Sequence, residues 1–265
     1  MELIEIIGFA ASLLIGISLG LIGGGGSILT VPILVYLIGI EASEQAPAYS
    51  LFIVGATALV GSFQKYREGF VDIKTFLVFG IPSILSVYLT RSYLVPAIPD
   101  TMSIAHIELT KRMLVMGLFA TLMVFASISM IRGRKDGNVE GPISYNYPLI
   151  LLEGLLVGVL TGLVGAGGGF LIIPALVKLS KLSMKKAVGT SLLIIASKSL
   201  IGFTGDAMRL NIQWSLLLLL TLLAVVGIFI GNAMSRKVPG HKLKAGFGWF
   251  VLVMGIYIMG KELLW

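Results

Sequence analysis

The chain has 265 residues, 57% hydrophobic and only 12% charged, with a net charge of +7, a mean hydropathy of +0.99 and no cysteine. A soluble domain carries about 25% charged residues, so this composition excludes a water-soluble globular protein, and the missing thiols exclude disulfides and thiolate metal sites. In an integral membrane protein the positive charge reads as lysines and arginines of cytoplasmic loops, not as a nucleic-acid footprint.

In chain order the first apolar segment is 3–22. It opens on Met1-Glu2, without the basic residues of a signal peptide, and no small-residue cleavage site follows, so it is read as part of the fold. It runs into LIGGGGSILTVP at 21–32. Each glycine costs a helix interior about 1 kcal/mol relative to alanine, and lipid offers no water to a freed amide. Four in a row therefore mark a break with a purpose. The next segment, 27–40, has 14 residues, about 21 Å of helix against roughly 30 Å of hydrocarbon, too short to span alone. Segments 46–63, 74–95 and 111–131 follow. After the polar, glycine-containing stretch 132–146 come 147–165, 169–182, 186–204, 213–235 and 243–264. Period-two alternation is absent and only helices or closed barrels satisfy the backbone in lipid, so every segment is predicted helical.

The chain repeats itself. GISLGLIGGGGSILTVPILVYLIGI at 16–40 and GVLTGLVGAGGGFLIIPALVKLSKL at 158–182 are identical at 11 of 25 ungapped positions, including Gly23/Gly165, Gly25/Gly167, Gly26/Gly168 and Pro32/Pro174. AYSLFIVGATALVG at 48–61 matches GTSLLIIASKSLIG at 189–202 in the same way. The expected fold class is an all-α polytopic membrane protein of two repeats, 1–131 and 147–265, joined by a cytoplasmic linker at 132–146. Each repeat holds five apolar segments, with a short broken or re-entrant helix after its glycine cluster. Whether 3–22 and 147–165 fully span or fold back as hairpins with 27–40 and 169–182 is open at this point.

An odd number of segments per half gives the halves opposite orientations. With the N-terminus outside, 14 of the 20 basic residues fall on inner loops, and the equivalent loops EASEQ (41–45) and 178–186 differ in charge sign. That reversal is the pattern of an inverted repeat. Both termini are then expected outside.

The glycines suggest their use. They permit positive φ and close backbone approach, and the helix that restarts beyond them presents unbonded amides at its positive end, a ready anion site. Two such starts entering from opposite faces meet near the midplane, where broken helices of transporters bind substrate. The candidate substrate-binding residues are Gly23, Gly24, Gly25, Gly26, Ser27 and Thr30 in the first half. Gly165, Gly167, Gly168 and Gly169 are their counterparts in the second. Ser50, Thr57, Thr190 and Ser191 are added as hydroxyl donors, and Lys198 as the basic residue deepest in an apolar segment. For the hydroxyls, bonding to their own helix carbonyls is the competing role; for Lys198 it is snorkelling to the interface. Gly16/Gly20, Gly158/Gly162 and Gly227/Gly231 are GxxxG pairs, read as helix-packing surfaces.

GGGGSILTVPIL, GAGGGFLIIPAL and GTSLL at 189–193 resemble the sulfite exporter TauE/SafE family, also called the toluene sulfonate uptake permease family, over essentially the whole chain. The resemblance implies a transporter of small sulfur-containing anions such as sulfite, thiosulfate and sulfonates in the prokaryotic cytoplasmic membrane. The first half carries Tyr49-Ser50 where the second has Thr190-Ser191, which breaks the symmetry of the hydroxyl pair. Alternating access at the glycine clusters is the expected mechanism; a passive anion channel and a non-transporting scaffold or sensor are the alternatives. No HExxH or Walker A pattern occurs, the GxSxG match GISLG at 16–20 coincides with the packing pair Gly16/Gly20 inside an apolar segment, and His106 and His241 lie far apart. The expected partners are therefore a small anion and the bilayer, with no nucleic acid, metal, cofactor or enzymatic activity. The choice of anion, its direction, a coupling proton and self-association are left open.

Overall fold

The structure, a computed structural model, describes residues 3–104, 107–132, 147–235 and 240–264. The linker beyond Arg132 and His106 lie outside the described residues, as do the basic residues Arg134, Lys135, Arg236 and Lys237. Ten helical segments make up the described chain, and they follow the ten apolar runs. They are α1 (Leu3–Ile22), α2 (23–37), α3 (Gln45–Arg67), α4 (Ile73–Ala97) and α5 (Lys111–Ile131), then α6 (Tyr147–Val164), α7 (Gly169–Leu179), α8 (Met184–Ala207), α9 (Trp214–Ser235) and α10 (Gly240–Leu264). A short antiparallel hairpin, β1 (Thr101–Ile104) and β2 (Ile107–Thr110), precedes α5 with Thr101 opposite Thr110. The apolar pattern gave no sign of it.

Seven stretches among the described residues are long and apolar enough to cross a membrane: 8–37, α3, α4, α5, α6, α8 and α9. The first is not a straight rod. A side chain at Gly8 would lie 3.2 Å from Ile38, and the Ser18 hydroxyl donates to the Gly26 carbonyl at 3.3 Å. Residues 8 and 38, and 18 and 26, are therefore neighbours, and the chain reverses at Gly23, whose φ is +71°. The second half does likewise: Gly168 sits against Thr161, while Leu149 and Leu152 of α6 share a groove with Pro174 and Ala175 of α7. The alternative left open by the sequence resolves to two helical hairpins.

The hairpin tips point in opposite directions. Gly23 packs on Val188, near the start of α8, and Gly165 on Pro47, near the start of α3. Beyond the tips, the two short helices meet at Gly24 and Gly169, whose backbones touch beside Ile195. Ile195 is the twelfth of the 24 residues of α8, so the contact lies at mid-height.

Small residues set the packing around this centre. Gly16 and Gly20 of α1 face Ala224, Gly227 and Gly231 of α9, backbone on backbone. Gly158 and Gly162 of α6 rest on Ser83, Ser86 and Thr90 of α4. In lipid, where apolar burial between helices yields little, such close approach is a main source of association. All three GxxxG pairs thus serve as helix contacts. The α3–α8 pair fills the middle, and α5 with α10 forms a pair whose Phe125, Trp249 and Val253 are exposed.

Candidate functional site

The two glycine clusters differ in backbone. In the second, residues 165–168 leave the helix, with φ of +73° at Gly165 and +72° at Gly168; α7 starts at Gly169 without any side-chain cap. In the first, only Gly23 has positive φ, and Gly23–Leu29 winds on as a 3₁₀ helix. The expected open turn before residue 27 is therefore a tight helical turn starting at 23. It narrows because Gly26 is pressed on the Ser18–Leu19 backbone of α1 and Gly24 on Gly169, contacts that only a bare, slim backbone allows. Pro32, which has no N–H to donate, then marks the change from these tight turns to the wide π turns of Ile33–Leu37.

A β-carbon at Gly24, Gly26, Gly168 or Gly169 would overlap neighbouring atoms, and one at Gly167 would press on Val54, Ile195 and Ser27. Gly25 is the exception: its β-carbon would meet one atom, Ile22 Cγ2, at 3.1 Å. Close packing thus explains most of the cluster and does not explain Gly25.

Val54 of α3 and Ser191, Ile195 and Lys198 of α8 lie against the clusters. Ser50 and Thr57 flank Val54 along α3 as Ser191 and Lys198 flank Ile195 along α8, each stripe two helical turns long. Lys198 is wholly buried. Its Nζ donates to Thr161 Oγ1 at 2.7 Å, and that hydroxyl is itself bonded to the Val157 carbonyl at 2.7 Å. A β-carbon on Gly168 would lie 2.9 Å from the same Nζ. The ammonium therefore does not snorkel; it lies at the uncapped start of α7. Among the described residues no carboxylate pairs with it. The Lys198 amine and the positive end of α7 share one buried space.

The hydroxyls divide. Ser27 and Ser191 donate to the carbonyls of Gly24 and Val188, both at 2.8 Å, the local role weighed from sequence. Thr30, Ser50 and Thr57 are buried, and their hydroxyls have no hydrogen-bond partner among the described residues; the same holds for Ser199 beside Lys198. Thr190 points elsewhere, accepting the Asp72 amide at 2.9 Å and so tying the α3–α4 loop to α8. Its repeat counterpart, Tyr49, accepts the Gln213 amide at 2.7 Å and ties the α8–α9 loop to α3. The hydroxyl symmetry that Tyr49-Ser50 seemed to break persists, carried on a longer side chain.

A second charged group was missed by counting charges per loop. Arg91 and Asp206 are both fully buried, with Nε to Oδ2 at 2.5 Å. Arg91 also donates to the carbonyls of Gly162 (3.3 Å) and Glu44 (3.2 Å). Arg209 bridges Asp206 at 3.1 Å and Glu44 at 3.2 Å, and Lys111 pairs with Glu44. The signal was available: Arg91 lies inside segment 74–95, and a charge within an apolar run calls for a partner. Burial alone would push the Glu44 carboxyl up, but Lys111 and Arg209 outweigh it and hold the group below its ordinary value. The network also fixes geometry. Arg209 ties loop 41–45 to the C-terminal end of α8, while Ser183 opens α8 at the other end.

Comparison with known proteins identifies the family. The family model described as "Sulfite exporter TauE/SafE" matches residues 8–258. A "Probable membrane transporter protein" of Xylella fastidiosa is 28% identical over 258 residues, covering 94% of this chain and 92% of the relative. The Bacillus subtilis proteins YunE and YdhB, both named probable membrane transporter proteins, are 30% and 26% identical. YunE covers 82% of this chain and 83% of its own length, YdhB 93% and 96%. No solved structure matches at a significant level.

Proposed function

The chain belongs to the sulfite exporter TauE/SafE family of membrane transporters, and from that premise we propose that it moves small sulfur oxyanions (sulfite, thiosulfate or sulfonates) by alternating access. The anion binds where the two glycine clusters meet. One observation carries this reading: the buried Lys198 ammonium faces the uncapped start of α7, with the Thr161 hydroxyl as its hydrogen-bond partner. Two positive groups in a dry site repel each other, and an anion between them removes the repulsion and supplies the missing acceptor. Unpartnered hydroxyls at Thr30, Ser50 and Thr57 offer further donors.

The contact of Gly24 with Gly169 favours a carrier over a channel, because the clusters must part before an anion enters. The element pairing supports two inverted repeats, 1–131 and 147–265: α1 packs on α9 as α6 packs on α4, while α3–α8, α5–α10 and α2–α7 pair with their own counterparts. On this reading both termini lie outside the cytoplasmic membrane of a prokaryote and no catalysis is involved. Thiosulfate exchange in proteoliposomes tests the proposal. Saturable counterflow is expected; flux that rises without saturation refutes the carrier, and absent flux of every sulfur oxyanion tried refutes transport of this class.

A further inference from the structure

The ion network around Glu44 brings three cations, Arg91, Lys111 and Arg209, to two carboxylates. Asp206 already holds Arg91 and Arg209. The rest of the cationic wall is filled by the Glu44 carboxylate, with Oε1 on Lys111 and Oε2 on Arg209, while Arg91 Nη2 grips the Glu44 carbonyl. Two anionic oxygens offered to an ammonium and a guanidinium are also what a sulfite, sulfonate or thiosulfate presents.

The occupant is placed to move. Glu44 precedes α3 in a loop, with its side chain 19% exposed and that of Arg209 32% exposed, whereas Arg91 and Asp206 are sealed. The cluster also adjoins the centre. Arg91 Nη1 donates to the carbonyl of Gly162, and the preceding residue, Thr161, holds Lys198. Cationic groups therefore run from a partly open mouth to the closed glycine contact.

We propose that Lys111, Arg209 and Arg91 form a second oxyanion site at this mouth, filled in the structure by the protein's own Glu44 carboxylate, which the small anion displaces on its way to or from Lys198. The inference goes beyond the central site and rests on the transport reading for its ligand class. A purely structural ion network predicts no gain in anion affinity when Glu44 is neutralised; a site blocked by its own carboxylate predicts one.

The test uses the full chain in neutral detergent, titrated calorimetrically with sodium thiosulfate at constant ionic strength. Glu44→Gln should bind thiosulfate at least fivefold more tightly than the parent, keep that gain in a Lys198→Met background, and lose it when Arg209→Gln is added. Unchanged or weaker binding by a Glu44→Gln protein with the parent's circular dichroism and gel-filtration profile overturns the proposal. So does disappearance of the gain with Lys198→Met. Should Glu44→Gln not fold, Arg209→Gln alone serves: flux at low thiosulfate should fall several-fold, and unchanged flux overturns the mouth site. No binding by the parent but tight binding by Glu44→Gln would remove the central site and leave this one standing.

Discussion

Alanine at Gly25 separates the two uses of the first glycine cluster, close packing and ligand contact. At Gly169 an added methyl would land on the backbone of Gly24, which cannot swing aside as a side chain does. Overpacking of that kind costs about 3 kcal/mol or more, a loss of roughly 6–12 °C in thermal midpoint for a chain of this size. At Gly25 the methyl meets one side-chain atom at 3.1 Å, and the backbone there does not have positive φ. The few tenths of an ångström that Ile22 must yield are offset by the roughly 0.4–1 kcal/mol gained from a stiffer unfolded chain. Gly25→Ala should therefore stay within about 1 kcal/mol, or roughly 4 °C, of the parent. If the amides of this turn touch the anion, the same methyl should weaken binding several-fold, about 1 kcal/mol for a lost hydrogen bond. Thermal unfolding in detergent and thiosulfate titration on the same preparations decide the matter. A stable Gly25→Ala with parental affinity refutes the ligand role of the first cluster; a stable Gly169→Ala refutes the packing argument. Gly167→Val is a poor probe, since Val54, Ile195 and Ser27 already crowd that site.

Further outcomes follow from the buried charges. Lys198→Met should weaken anion binding by roughly 1–2 kcal/mol, the scale of a charge-assisted hydrogen bond, and Lys198→Arg should restore part of it; a Met variant equal to the parent at low salt would falsify the countercharge role. Asp206→Asn leaves Arg91 buried without its carboxylate and should destabilise by about 3–5 kcal/mol, read as a drop in thermal midpoint. Because the folded Glu44 carboxyl titrates below its ordinary value, its contribution to stability is full above the unfolded carboxylate range and is lost as pH falls through the folded value. Glu44→Gln should thus flatten the acid limb of the midpoint–pH curve, and an unchanged limb would contradict that assignment. Single cysteines at Met208, 96% exposed, and at Lys185 should react with an impermeant thiol reagent from the outer and inner faces respectively; labelling of both from one side would exclude a membrane-crossing α8.

The helices were legible because lipid leaves the backbone few choices. Length and apolarity alone mark α3 to α6, α8 and α9, and the doubled glycine–proline register marks both breaks while leaving open whether each folds back as a hairpin. What escaped was relational. Nothing in LIGGGGSILTVP distinguishes a 3₁₀ turn from an open one, since the difference depends on Gly26 lying against α1 and Gly24 against Gly169. Arg91 and Asp206 are 115 positions apart, and a tally of charges by loop has no means of joining them. Thr190 was grouped with the binding residues by its place beside Ser191, yet its hydroxyl faces Asp72. Rotation about α8 decides that, and one residue amounts to about 100°.

The same geometry bears on why glycine is used at the centre at all. On the proposed reading, a site made of two helix starts must let those starts approach from opposite sides without side chains in between, and the Gly24–Gly169 contact meets that need. Packing then holds Lys198 close to the start of α7. Each loop is tied to the opposite half by one matching hydroxyl clamp, Thr190 on Asp72 and Tyr49 on Gln213. On the proposed cycle, binding an anion exchanges the glycine contact for ionic and amide contacts, so the two states differ by opposing terms of similar size. A transporter needs such a balance, because a state held much more firmly than its alternative would stop the cycle. Releasing one clamp at a time tests whether the balance is struck at these loops. Thr190→Val should favour opening at the Asp72 face and Tyr49→Phe at the Gln213 face. With a single cysteine at Ser199, the expected result is faster labelling from opposite sides of the membrane in the two variants. Equal labelling from both sides would show that the clamps hold loops and not gates.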